Sequence, residues 1–146
     1  MVKMRFRNCI IGKELSHPIQ IAESLLTPYS IMTKELQKNA EIFKYDTPSN
    51  FLELLLKKKE PISVFTYRSK NPWSKVVGYY ADGKIYFNIR KLPTMDKLDL
   101  IGFLLHEYAH YSGLHHGTGP LKNYITEDKL KYSVPYYLSE NVKKWI

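Results

Sequence analysis

Asp96-Lys97-Leu98-Asp99-Leu100-Ile101-Gly102-Phe103-Leu104-Leu105-His106-Glu107-Tyr108-Ala109-His110-Tyr111-Ser112-Gly113-Leu114-His115-His116 is the stretch from which the rest of the chain is read. Thr94 is placed to cap a helix, and Asp96 falls in the first turn, where a carboxylate complements the helix dipole. Leu98, Ile101, Leu105, Tyr108 and Ala109 recur at helical spacing and mark its buried face. His106 and His110 stand four residues apart, which puts two imidazoles on one side of the helix, one turn from each other. Zinc favours imidazole nitrogen, and a catalytic zinc site takes three protein ligands and keeps one position for water.

His116 supplies the third ligand, giving one Zn2+ per chain. To reach it the helix must stop and the chain must turn back, and Gly113 can take the left-handed cap conformation without a Cβ clash. Glu107, next to the first ligand, is then the general base that takes a proton from the zinc-bound water, a layout suited to amide hydrolysis. A chance H-E-x-x-H is roughly a one per cent event in a chain with this content of His and Glu, whereas the match extended through Gly113 and His116 is about one in a hundred thousand. His115 is one residue out of phase with the pattern.

Upstream of this helix, Ile62 to Tyr67, Lys75 to Tyr80 and Lys84 to Arg90 are rich in β-branched and aromatic residues and read as three strands. Ala81-Asp82-Gly83 is a short turn that joins the last two as a hairpin, with Ile85, Phe87 and Ile89 on one side and Tyr86 and Asn88 on the other. Residues 16 to 45 carry two helices broken near Pro28, and Asn50 with Glu53 has capping-box spacing for another that ends before Pro61. Beyond Gly113 comes a loop rich in Gly, Thr, Pro and Asn, then a last amphipathic segment in which Leu138, Val142 and Trp145 face the core.

With 146 residues and apolar content of 44%, the whole of 1–146 is read as one domain able to close a core without disulfides. Cys9 is the only cysteine, which excludes an internal disulfide and a cysteine-based zinc site. No apolar run reaches the roughly eighteen residues of a membrane span, and the run after the basic N-terminus is too short for a signal peptide. The expected location is the cytoplasm, or outside the cell by a signal-independent route. The formal charge of +8 suits an acidic partner or nucleic acid, although Lys57-Lys58-Lys59 reads as a solvated helix end. Most of the 12 tyrosines fall on strand or helix faces and read as packing.

The motif from His106 to His116 resembles that of the metzincin clan of zinc peptidases. A second stretch, Tyr132-Ser133-Val134-Pro135-Tyr136-Tyr137, is similar to the methionine-turn region of serralysins and astacins, with Pro135 where the methionine would stand. The resemblance implies a zinc-dependent endopeptidase acting on protein or peptide, with Tyr137 as an oxyanion-stabilising residue beside the metal. It also implies a substrate-pairing edge strand, for which Lys84 to Arg90 is the candidate.

Three alternatives carry related histidine patterns. An endoribonuclease of the YbeY type shares the size, the basic charge and the His-x3-His-x5-His spacing, but has glycine in place of Glu107 and aspartate in place of His115. A SprT-like protease acting on DNA-bound protein shares H-E-x-x-H. A non-catalytic zinc-binding module would not need Glu107. The expected fold is α+β and zincin-like: a small, mainly antiparallel sheet packed on helices, a zinc-binding active-site helix and a short C-terminal lobe.

Overall fold

The computed structural model describes residues 4–7, 13–39, 43, 52–53, 55, 62–113 and 133–146. Alternation of side chains organises its sheet. In β2 (Ile62–Tyr67), Ile62 and Val64 are buried while Ser63, Phe65 and Tyr67 are half-buried on the other face. In β4 (Lys84–Asn88), Ile85 and Phe87 are buried between Lys84 and Tyr86. β3 (Gly78–Ala81) forms the expected hairpin with β4, and the turn takes Asp82 and Gly83 at φ of 52° and 74°, both positive as a tight hairpin turn requires. A fourth strand, β1 (Met4–Arg7), pairs with β2 in the order β1-β2-β4-β3.

The sheet is mixed, which corrects the mainly antiparallel expectation: β1 with β2 and β2 with β4 are parallel, and only β3 with β4 is antiparallel. The pairing also places β4 inside the sheet, so Lys84 to Arg90 is not an edge strand. β3 is the edge on that side. Ile85 and Phe87 are essentially inaccessible, which suits an interior strand, while Tyr79 of β3 is 45% exposed. After Asn88 the chain leaves the sheet in a 3-10 turn (Ile89–Thr94) rather than extending β4 to Arg90.

Asn88 fastens this corner. Its side-chain oxygen accepts from Ser69 N at 3.3 Å and Arg90 N at 3.2 Å, and its amide donates to Ser69 Oγ at 3.2 Å and Val76 O at 3.1 Å. All four hydrogen-bonding positions of a fully buried amide are thereby used, as burial demands.

The helices α1 (Lys13–Leu25) and α2 (Ile31–Lys38) break around Pro28 as expected, with Ser30 capping α2 by accepting from Thr33 N at 3.1 Å. The third helix, α3 (Lys97–Tyr111), packs against β3, β4, α1 and the C-terminal helix α4 (Val134–Glu140). Its N-cap is Asp96 rather than Thr94. Asp99 N donates to Asp96 Oδ1 at 2.8 Å and Asp96 N to Asp99 Oδ2 at 3.1 Å, a reciprocal box that Thr94, at the end of the preceding turn, cannot make. Leu100 to Leu105 of α3 are buried without interruption, so this helix is the centre of the core rather than an amphipathic cover. Leu138 of α4 and Val142 and Trp145 of the final 3-10 turn (Val142–Trp145) are buried against it.

Among the described residues no helix is long and apolar enough to cross a membrane. Of the expected helix from Asn50, Leu52, Glu53 and Leu55 are helical and Leu55 is buried, while the rest of that helix, the Lys57-Lys58-Lys59 run, Cys9 and the loop after Gly113 lie outside the described residues.

Candidate metal centre

The last two turns of α3 carry His106, Glu107 and His110. The two imidazoles meet edge-on with ring centroids 5.0 Å apart at an interplanar angle of 69°. An imidazole nitrogen sits about 2.0 Å from zinc with its ring centre about 1.1 Å further out, so two rings on one tetrahedral ion have centroids about 5 Å apart. The observed spacing fits that donor pair. Gly113 ends the helix at φ +92°, with its N–H on His110 O at 2.9 Å and Ser112 N on Tyr108 O at 2.9 Å. The cap expected at this glycine is therefore in place. His116 and His115 lie outside the described residues, and among the described residues no cluster of three or more His, Cys, Asp or Glu is grouped as a metal would require.

Glu107 is 6% exposed, and its Oε2 is buried without a hydrogen-bond partner among the described residues. Burial pushes its carboxyl up to about 7, because the charged form has lost its water. A buried carboxyl oxygen without a hydrogen-bond partner among the described residues, on the same helix as two imidazoles at this spacing, fits a cation and its water.

His106 and Glu107 line a cleft of about 570 Å³, and His110 is not among its lining residues. One wall is α3 from Leu98 to Glu107, another is Val77 and Gly78 at the start of the edge strand, and the third is Tyr136, Ser139 and Glu140 of α4 with Val142 and Lys143 beyond it. Two glycines bring these walls together by lacking a side chain. A Cβ on Gly78 would lie 2.2 Å from Tyr86 O and 2.5 Å from the Phe103 ring, and one on Gly102 would lie 3.1 Å from Ser139 O.

Tyr137 is not beside the histidines. Its hydroxyl donates to Glu35 Oε1 at 2.9 Å, and its ring packs edge-on against Phe43 at 5.1 Å, so it belongs to the core. Burial, then the hydrogen bond to Glu35 and that carboxylate's charge, push its phenol up to about 12. Trp145 Nε1 donates to the other oxygen of Glu35. The phenol on the cleft side is Tyr136, whose ring meets the His106 ring edge-on at 4.9 Å. α4 begins with Val134, so consecutive residues diverge by about 100° around its axis, and alignment to an extended turn does not settle which of two adjacent tyrosines faces the site.

Ser139 is a site residue without a sequence signal. Its Oγ lies 3.5 Å from His106 Nδ1 and 3.1 Å from Tyr136 O, to which it donates.

No protein-family model, no curated protein and no solved structure matches the chain.

Proposed function

We propose that the chain is a zinc-dependent endopeptidase of zincin-like architecture, with His106, His110 and His116 as the ligands and Glu107 as the general base. The observation that supports this reading most directly is the pair of imidazoles with ring centroids 5.0 Å apart on one helix, together with Glu107, whose buried Oε2 has no hydrogen-bond partner among the described residues and which lines one cleft with His106. Bound zinc supplies Lewis acidity toward a water molecule and toward the scissile carbonyl.

The protein's own groups do the rest. A peptide lies in the cleft with its backbone along the free edge of β3, whose Gly78, with Val77 just before it, already forms the cleft wall. Glu107 takes one proton from the attacking water as the C–O bond forms and delivers it to the amine nitrogen as the C–N bond then breaks; the water's second proton stays on the new carboxyl group until that group ionises. Glu107 Oε2, without a hydrogen-bond partner among the described residues, is available for both transfers. Tyr136, which lines the cleft with its ring against that of His106, is the phenol assigned here to hydrogen-bond the developing oxyanion. Ser139, whose hydroxyl hydrogen is used by Tyr136 O, accepts from His106 Nδ1–H and thereby keeps the Nε2 lone pair for the metal.

The test is zinc content together with cleavage of an unstructured protein such as casein, with a structured RNA in parallel. One zinc per chain is expected, with proteolysis abolished in Glu107→Ala while the metal stays bound. RNA cleavage without proteolysis would move the assignment to an endoribonuclease, and a purified chain that takes up no zinc would sink the proposal.

A further inference from the structure

The face of the sheet turned away from α3 carries a continuous run of aromatic rings. Phe65 stacks on Tyr86 at 5.8 Å, Tyr86 on Tyr79 at 4.8 Å, and Tyr79 meets Tyr67 at 5.6 Å. The Lys84 ammonium sits over the Phe65 ring, 5.4 Å from its centre. Three strands contribute to the run, and it reaches the free edge at Tyr79, 45% exposed. Trp73, in the loop that leads into β3, is 84% exposed. Such a ladder packs a sheet face, yet it leaves ring edges, the outer ring of the stack and an indole in water, where threonine, lysine or glutamate would serve the strands as well.

The charge around the rings is one-sided. Between Ile62 and Lys91 the chain carries Arg68, Lys70, Lys75, Lys84, Arg90 and Lys91 against Asp82 alone. Arg68, Lys70, Lys75 and Lys84 are exposed, and the ion pair between Lys144 and Glu35 involves none of them. Aromatic rings interleaved with cations that have no ion pair among the described residues are complementary to a chain that is anionic along its backbone and has π-faces on its side groups.

We infer that this outer sheet face binds single-stranded nucleic acid, with bases stacking at Tyr79 and the ladder behind it and with Lys84 and the neighbouring cations on the phosphates. The inference does not rest on the metal reading, because the face is on the other side of the sheet from α3. A duplex offers its bases only in stacked pairs and is the weaker ligand for such a platform.

The test is anisotropy of labelled oligo(dT) and oligo(U) of about 20 nucleotides against a blunt duplex of the same length, using the full chain over a salt series. Both single strands are expected to bind, more tightly than the duplex. Tyr79→Ala should weaken them by about fivefold or more while Tyr79→Phe does not, and Lys84→Ala should lower the slope of log affinity against log salt by about 0.7. Folding of each variant is checked by circular dichroism, and Lys84 is exposed, so its substitution leaves the fold intact. The inference is overturned by absence of saturable binding, by a duplex that binds as tightly as the single strands, or by a folded Tyr79→Ala of wild-type affinity. It is equally overturned if Lys144→Ala, in the C-terminal turn, changes the slope as much as Lys84→Ala, since the binding would then follow bulk charge. Self-association that disappears in Tyr79→Ala would assign the face to a second copy of the chain.

Discussion

Tyr137→Phe separates a core tyrosine from a catalytic one. In the structure the phenol donates to Glu35, which also accepts from Trp145 and lies 3.9 Å from Lys144 Nζ. Removing the hydroxyl deletes a hydrogen bond to a charged acceptor, and such bonds contribute about 1.5 to 3 kcal/mol. Linkage gives an independent figure. A phenol raised from 10.0 to about 12 by folding, first by burial and then by Glu35, corresponds to roughly 2 to 3 kcal/mol in favour of the protonated ring. The first figure sets the gap at neutral pH, and the second sets how much of it ionisation removes. Since the folded value lies above the unfolded one, this stability is whole below about pH 10 and is lost as the pH rises through about 12. Urea unfolding of wild type and Tyr137→Phe, followed by far-ultraviolet circular dichroism, should therefore show a gap of about 2 kcal/mol at about pH 8 that closes by about pH 12. Other buried phenols, Tyr108 among them, titrate in both proteins and cancel in the comparison. Proteolysis per folded molecule should be unchanged. A variant as stable as wild type but with peptidase activity lost would refute the reasoning and return Tyr137 to the site.

Gly78→Ala should destabilise the fold by about 2 kcal/mol or more, read as a lowered thermal midpoint, because the new methyl meets the backbone oxygen of Tyr86 and the Phe103 ring with no room to move. Ser139→Ala should weaken zinc affinity by roughly tenfold in a chelator competition while leaving thermal stability of the metal-free protein nearly unchanged, as expected when a hydrogen bond that orients a ligand is removed; equal affinities would dismiss the role of this serine.

The parts of the fold carried by short-range pattern were legible in the chain. The hairpin at Asp82-Gly83, the break at Pro28, the end of α3 at Gly113 and the burial of Leu138, Val142 and Trp145 each follow from local turn chemistry or from helical spacing. What depends on distant partners was not. β1 is only four residues long with arginine at alternate positions, a weak strand signal until β2 is beside it. Parallel pairing of β2 with β4 is set by how the connection runs, and nothing inside either strand records it. At the site, His106, Glu107 and His110 were readable because one helix holds all three. Tyr136 and Ser139 were not, because they reach His106 only through the approach of α4 at Gly102.

Asn88 has a consequence for how this chain can change over time. One buried amide ties Ser69, Val76 and Arg90 to the end of β4, so the segment from Lys70 to Lys75 hangs between two anchored ends. Its residues are mostly exposed, Trp73 most of all. The position of the edge strand is thereby insulated from the length and composition of the loop that precedes it. Descendants of this sequence are free to lengthen, shorten or rewrite that loop, trading one surface specialisation for another, while the strand beside the cleft stays where it is.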